Sequence, residues 1–233
     1  MSYAETILIT GATGLLGREV LTRLLTEHPD AQLLVLVRDR VRWALTSRGI
    51  PGADRRVVTI RGDVRTLGAD LDPANRARIA QRVTAVIHLA ADTTFSRSLA
   101  DARAANTNGT RNVLDLVSHR GDVRFAYVST AFVAGRRTGT IHEDAGSSDA
   151  GWVNAYEQSK YEAESLVRES DTDWVILRPS TIVCDSPLGG VTQFNAVHRA
   201  LRLYRDGLAA MMPGVDGSTV DAVTPPSTDN PQQ

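Results

Sequence analysis

Tyr156 and Lys160, four residues apart in the run YEQSK, are the pair in this chain best suited to proton chemistry. On a helix that spacing sets both side chains on one face. A phenol, with an ordinary pKa of about 10, exchanges protons poorly at neutral pH unless a nearby cation stabilises the phenolate, and an ammonium supplies that charge. Tyr and Lys four apart also occur by chance, but Lys160 is the only lysine among 26 lysines and arginines. A chain that uses arginine wherever any cation serves keeps one lysine where a compact ammonium with three rotatable donors is needed. Upstream, the run YVSTAF closes an apolar strand with Ser129 and Thr130, hydroxyls at the sheet edge where ligands of open α/β folds bind. Either could bond a substrate oxygen; both are also ordinary turn formers.

The second chemical signal is Thr10-Gly11-Ala12-Thr13-Gly14-Leu15-Leu16-Gly17, between the first apolar strand and the first amphipathic helix. Gly11 suits the tight turn, Gly14 lets a pyrophosphate approach the backbone, and Gly17 allows close packing of helix on sheet. Thr13 and the first helical residues, Leu15 and Leu16, offer amides at a helix N-terminus, where phosphates bind. A glycine turn without a ligand is the bland alternative, and the strand before and helix after weigh against it. The second strand, LLVLV, runs into Arg38, positioned to meet a 2′-phosphate and so favouring NADP(H) over NAD(H), although the adjacent Asp39 could face a ribose instead. Asp63 and Val64 follow the third strand, where they would touch the adenine; Leu89, Ala90 and Ala91 follow the fourth, where they would line the cofactor channel.

These residues need a scaffold of alternating strands and helices. Apolar runs predict strands at Thr6–Thr10, Gln32–Val37, Val57–Arg61, Ala85–Ala90, Arg124–Ser129 and Trp174–Leu177. Helical periodicity predicts helices at Leu15–Glu27, Asn75–Arg82, Ala100–Ser118 and Ala155–Arg168. The fold class is α/β, a doubly wound parallel sheet of the Rossmann kind. The chain's 233 residues suit one such domain plus an appendage. Residues 1–185 are read as the NADP(H)-binding domain, 186–223 as a partial substrate-binding region, and 224–233 as a disordered tail rich in proline and polar residues.

Composition excludes several function classes. A net charge of -1 and the lack of any basic run argue against nucleic-acid partners. No apolar stretch approaches the roughly 20 residues needed to span a bilayer, and the N-terminus has no signal-peptide layout, so a cytoplasmic protein is expected. A single cysteine, Cys184, and scattered histidines leave no framework for a disulfide or a metal.

The ordered set TGATGLLG, HLAA, Asn106 in NTNGT, VST and YEQSK resembles the extended short-chain dehydrogenase/reductase superfamily, from the first strand to about Val223. The resemblance implies that Tyr156 is the general acid/base, that Lys160 lowers its pKa and binds the nicotinamide ribose, that Thr130 orients a substrate carbonyl, and that Asn106 supports a proton relay. Thr130 is preferred to Ser129 for its distance to Gly135, and Pro179 in RPSTIV joins the cofactor residues. The longer stretches HLAADTTFSRSLADARAANTNGTRNVL, YVSTAFVAGRRTGTIHED and QFNAVHRALRLYRDG look most like the thioester-reductase or fatty acyl-CoA reductase branch. That branch implies an oxidoreductase using NADPH on an acyl thioester of coenzyme A or a carrier protein; a homodimer through paired helices is compatible with it. Two departures stand out: Cys184 replaces a usual glycine, and the chain ends in TPPSTDNPQQ where relatives continue, which predicts a truncated substrate appendage. A nucleotide-sugar epimerase or dehydratase, and a catalytically weak NADP-binding remnant, remain alternative functions.

Overall fold

The computed structural model describes residues 5–182, apart from 49, 51, 68–70, 119 and 144–148. Six strands, β1 (Glu5–Thr10), β2 (Ala31–Val37), β3 (Val57–Arg61), β4 (Ala85–His88), β5 (Arg124–Val128) and β6 (Asp173–Leu177), form one sheet in the order β3-β2-β1-β4-β5-β6. Every pairing is parallel. The helices are α1 (Leu15–Glu27), α2 (Arg40–Thr46), α3 (Ala53–Arg56), α4 (Pro73–Arg82), α5 (Leu99–Ala105), α6 (Thr107–Val117) and α7 (Ala155–Arg168), with one 3-10 turn at Ala131–Ala134.

Unbroken apolar runs in the central strands demand cover on both faces, and alternation of side chains divides them between two cores. Leu8, Leu34, Val86, Phe125 and Tyr127 pack with Ile79 of α4, Val113 and Val117 of α6, and Ala163 and Val167 of α7. Ile7, Ile9, Leu33, Val35 and Val37 face the other way, onto Leu21 and Leu25 of α1. The strand order reverses between β1 and β4, which opens a crevice at their carboxyl ends, the usual ligand position in such sheets. Gly11, Arg38, Asp63, Leu89 and Thr130 all lie just beyond the carboxyl ends of strands, so the topology alone gathers residues separated by more than a hundred positions.

The doubly wound parallel sheet agrees with the reading from sequence; several boundaries do not. The single helix expected over Ala100–Ser118 is two, α5 and α6, joined at Asn106. The fourth and fifth strands end earlier than expected, at His88 and Val128. Helices α2 and α3 have no counterpart in the expected elements; α2 buries none of its residues and so has no apolar face to read. Among the described residues, no helix is long and apolar enough to cross a membrane. The described residues, up to Ile182, fall in one compact unit. Cys184, the expected substrate appendage and the expected disordered tail fall outside the described residues.

Candidate active site

The glycine turn after β1 is shaped by contacts that admit no side chain at two of its three glycines. Gly11 has φ 74°, and a Cβ there would come within 2.6 Å of the Ala90 backbone nitrogen. At Gly17, inside α1, a Cβ would meet the Gly11 carbonyl oxygen at 2.2 Å. Gly14 differs: its Cβ would meet only the Gly11 oxygen, at 3.3 Å, with open space otherwise. Gly14 caps α1 without any side-chain bond, and the first-turn amides of Leu15, Leu16 and Gly17 lack intrahelical partners. A dinucleotide pyrophosphate fits this cradle: donors and a positive helix end are present where a Cβ at Gly14 would intrude.

Beyond β2, Arg38 projects into solvent, its side chain 66% exposed and 3.8 Å from the Asp63 carboxylate. The neighbouring Asp39 caps α2, accepting from the amides of Val41 at 2.8 Å and Arg42 at 3.1 Å. Of the two candidates for the ribose edge, the acid is therefore committed to a helix and the guanidinium is free to move. Asp63 pairs in two-pronged fashion with Arg65, whose hydrogen bonds hold its carboxyl below the usual range. Val64 turns its side chain toward the core, against Gly109 of α6, which leaves backbone rather than side chain for a ligand. After β4, the Leu89 amide bonds the Thr10 carbonyl at 3.2 Å and the Ala90 amide bonds the Thr10 hydroxyl at 3.2 Å, drawing this segment over the glycine turn.

A buried polar chain runs from there to helices α6 and α7. The His88 ring lies between the hydroxyls of Thr10, at 2.6 Å, and Thr110, at 3.0 Å. Thr110 donates its proton to the Asn106 carbonyl at 2.7 Å, so it accepts from His88 Nε2–H, and Nδ1 in turn accepts from Thr10. Full burial keeps this imidazole neutral, its pKa pushed down to about 3, with the Lys160 charge a lesser cause. Asn106 occupies the kink between α5 and α6. Its amide donates to the Asp92 carbonyl at 3.1 Å and to the Ser159 hydroxyl at 2.9 Å, and its oxygen accepts from the Asp92 amide at 2.8 Å. It ties the loop after β4 to α7.

Helix α7 is fixed at its start by reciprocal capping. Asn154 accepts from the Glu157 amide at 3.0 Å while the Glu157 carboxylate accepts from the Asn154 side chain at 3.0 Å and the Val153 amide at 2.9 Å. This sets Tyr156 in the first turn, largely buried, with the Thr130 hydroxyl near enough to favour its phenolate against the effect of burial. Burial raises the phenol pKa, the Thr130 hydroxyl offsets part of that rise, and the Glu157 charge adds to it. Thr130 itself caps the 3-10 turn, accepting from the Phe132 amide at 3.2 Å. The Ser129 hydroxyl is buried and makes no hydrogen bond among the described residues, so Thr130 is the hydroxyl paired with the tyrosine.

Lys160, one turn along, is 2% exposed. Its ammonium donates to the Val128 carbonyl at 2.8 Å and sits 4.1 Å from the centre of the Tyr127 ring, a cation–π contact. Desolvation brings its pKa down to about 7, against the opposing pull of the Glu164 charge. Glu164 is itself held by Arg178 through bonds of 2.9 and 2.6 Å. Pro179 follows, its carbonyl accepting from the Ala131 amide at 2.9 Å, which joins the end of β6 to the Thr130 turn. The sequence singled out Tyr156, Lys160, Thr130 and Asn106, and all four lie among the linked elements β5, α6 and α7. It did not assign roles to Tyr127, Thr110 or Ser159, whose only signal is being polar or aromatic at buried positions, or to the half-buried Asp92.

The family profile described as male sterility protein, a NAD-binding group, matches residues 9–225. A hybrid PKS-NRPS synthetase of Thermothelomyces thermophilus is 30% identical over 181 residues, covering 70% of this chain and 4% of the synthetase. Glycine betaine reductase of Emericella nidulans is 30% identical over 200 residues, 73% of this chain and 15% of that protein. Among solved structures, the terminal R domain from the myxalamid PKS-NRPS biosynthetic pathway superposes with TM-score 0.77 at 32% identity, covering 88% of this chain and 56% of that one. The Bordetella bronchiseptica enzyme WbmG in complex with NAD gives 0.67 at 25% identity, 87% and 60%. The chain thus spans a small fraction of these curated relatives and a little over half of the similar solved chains. With the glycine cradle, the 3-2-1-4-5-6 sheet and the Thr130–Tyr156–Lys160 arrangement, the profile match shows that this chain belongs to the thioester-reductase-like branch of the extended short-chain dehydrogenase/reductases, a superfamily of NAD(P)-dependent oxidoreductases.

Proposed function

We propose that this chain is an NADPH-dependent reductase of acyl thioesters carried on coenzyme A or on a carrier protein. The observation that carries the reading is the proximity of the Tyr156 phenol to the Thr130 hydroxyl just beyond β5, at the carboxyl edge of the sheet, with burial raising the phenol pKa above its ordinary value. A reduction needs a proton donor where a carbonyl oxygen gains charge, and a neutral phenol beside a second hydroxyl meets that need. Reduced nicotinamide, when bound, supplies the hydride. Tyr156 donates to the developing oxyanion, Thr130 steadies the same oxygen, and the resulting hemithioacetal collapses to aldehyde and free thiol. Lys160 holds positive charge behind the phenol and reaches the ribose hydroxyls; Asn106 positions α7 and the loop after β4. Support for NADP(H) over NAD(H) comes from Asp39, whose carboxylate is occupied in capping α2 while Arg38 stays exposed. In this reading residues 1–185 bind the dinucleotide and residues 186–223 belong to the substrate side.

The test is NADPH consumption with decanoyl-CoA and, separately, with UDP-glucose. Stoichiometric oxidation with the thioester alone is expected; interconversion of the sugar without net oxidation would favour an epimerase, for which the likeness to WbmG, solved with NAD and UDP, is the supporting observation. Tight NADPH binding without turnover of either would favour the non-catalytic reading. Tyr156→Phe is expected to retain NADPH binding and to lower turnover by roughly 10²- to 10⁴-fold. Unchanged turnover would sink the mechanism.

A further inference from the structure

We infer that Phe95 and Phe132 form an apolar wall that receives the hydrocarbon next to the reacting carbonyl and sets a preference for long acyl chains; the inference rests on the reductase reading. Two large aromatic rings stand exposed beside the phenol. Phe95 is 50% exposed and Phe132 42%. Their centroids lie 6.1 Å apart at an interplanar angle of 86°, and the Phe95 ring lies 5.6 Å from that of Tyr156. They come from different elements, the loop after β4 and the turn after β5, so neither is exposed merely because its neighbour is.

Both are held in place rather than left to drift. Phe132 bonds through its amide to Thr130, the hydroxyl that pairs with Tyr156, and through its carbonyl to the Gly135 amide at 3.0 Å. Phe95 lies in a turn closed by the Arg97 amide on the Thr94 carbonyl; Asp92 accepts from the Thr94 amide at 3.0 Å and the Arg97 guanidinium at 3.0 Å, and Asn106 fixes Asp92. A substrate oxygen bonded to the Tyr156 hydroxyl puts the group attached to its carbon within a few bond lengths of these rings. Two rings meeting edge to face make an angled apolar corner, which suits an alkyl or aryl chain and offers no polar atom to a polyhydroxylated ring. The wall borders the chain on one side only, so it captures about half the value of full burial per methylene, roughly twofold in affinity.

The test uses S-butanoyl-, S-octanoyl- and S-dodecanoyl-N-acetylcysteamine, titrated calorimetrically against the chain saturated with NADP⁺, with turnover under NADPH measured separately. The expected result is an affinity gain of roughly tenfold from butanoyl to octanoyl, reduced to under threefold in Phe95→Ala and Phe132→Ala. Retained NADP⁺ binding verifies the fold of each variant, and Phe→Leu at either position restores part of the gain. An unchanged chain-length gain in both alanine variants overturns the inference. Chain-length-dependent binding without turnover would uphold the wall and refute the reductase reading; no thioester binding at all would refute both.

Discussion

Replacing Gly14 with alanine separates what the glycine turn does for the fold from what it does for a ligand. Gly14 has φ -80° and ψ 170°, a conformation open to any residue. The added methyl meets one atom, the Gly11 carbonyl oxygen at 3.3 Å, a contact relieved by a shift of a few tenths of an ångström. Removing a glycine from the unfolded chain favours folding by about 0.4–1 kcal/mol, and alanine is worse than glycine at a helix N-cap by a similar amount. The free variant should therefore melt within about 2 °C of the parent. Its methyl would, however, occupy the surface that a pyrophosphate must approach. At NADPH a hundredfold above its dissociation constant, the parent gains about 2.7 kcal/mol. In a domain of this size that corresponds to roughly 5–10 °C in Tm. A differential-scanning melt with and without NADPH should show this gain in the parent and none in Gly14→Ala. Gly17→Ala is the contrast, since its methyl would lie 2.2 Å from backbone oxygen and the chain should melt far lower without any ligand. A Gly14→Ala chain stabilised by NADPH as much as the parent would refute the cradle; one that unfolds alone would make Gly14 a folding residue.

Three further outcomes follow from individual contacts. Arg38→Ala should weaken NADPH about tenfold, the low end for a charge-assisted phosphate contact by an exposed side chain, and change NADH less than threefold; equal losses in parallel titrations would remove the 2′-phosphate role. Arg178→Met would leave the buried Glu164 carboxylate with only the Arg168 guanidinium at 3.8 Å, at a cost of roughly 3–5 kcal/mol, read as a lower urea midpoint; a midpoint equal to the parent's would show the pair to be dispensable. Lys160 titrates at about 7 when folded against 10.5 when free, so the unfolded chain binds more protons between those values and the penalty for burying the ammonium relaxes as pH rises. The stability advantage of Lys160→Met over the parent should be greatest at pH 6 and shrink toward pH 9.5, by at most 1.36 kcal/mol per unit; a pH-independent difference in urea unfolding would contradict the burial of charge. Tyr127 and Tyr156, both raised, stay protonated across that window, and His88, at about 3, stays neutral.

The parts legible in the sequence are those set by short-range pattern. Runs such as LLVLV read as doubly covered strands because parallel sheets bury both faces, and the glycine turn reads as a cradle because its flanking elements are unmistakable. What the pattern missed is tertiary in origin. The periodicity from Ala100 to Ser118 runs straight through Asn106, whose backbone stays in the right-handed helical region; the two helices meet where its side chain bonds Asp92 and Ser159, contacts that no local pattern announces. Helix α2 was invisible for the opposite reason, since Val41 and Leu45 stand exposed and leave no buried stripe.

The same distinction bears on Lys160. Its uniqueness among the basic residues pointed to a site, and the resemblance implied that it lowers the tyrosine pKa. In the folded chain the ammonium sits on the Val128 carbonyl and the Tyr127 ring, and the phenol's shift is upward, governed by burial and by Thr130. A protonated phenol is the form a carbonyl reduction consumes, whereas the reverse oxidation needs the phenolate. Burial thus favours the form of the phenol that reduction consumes, and an anionic dinucleotide bound nearby would draw the lysine pKa up from about 7. Sequence spacing locates such a pair; only the packing around it says in which protonation state each member waits.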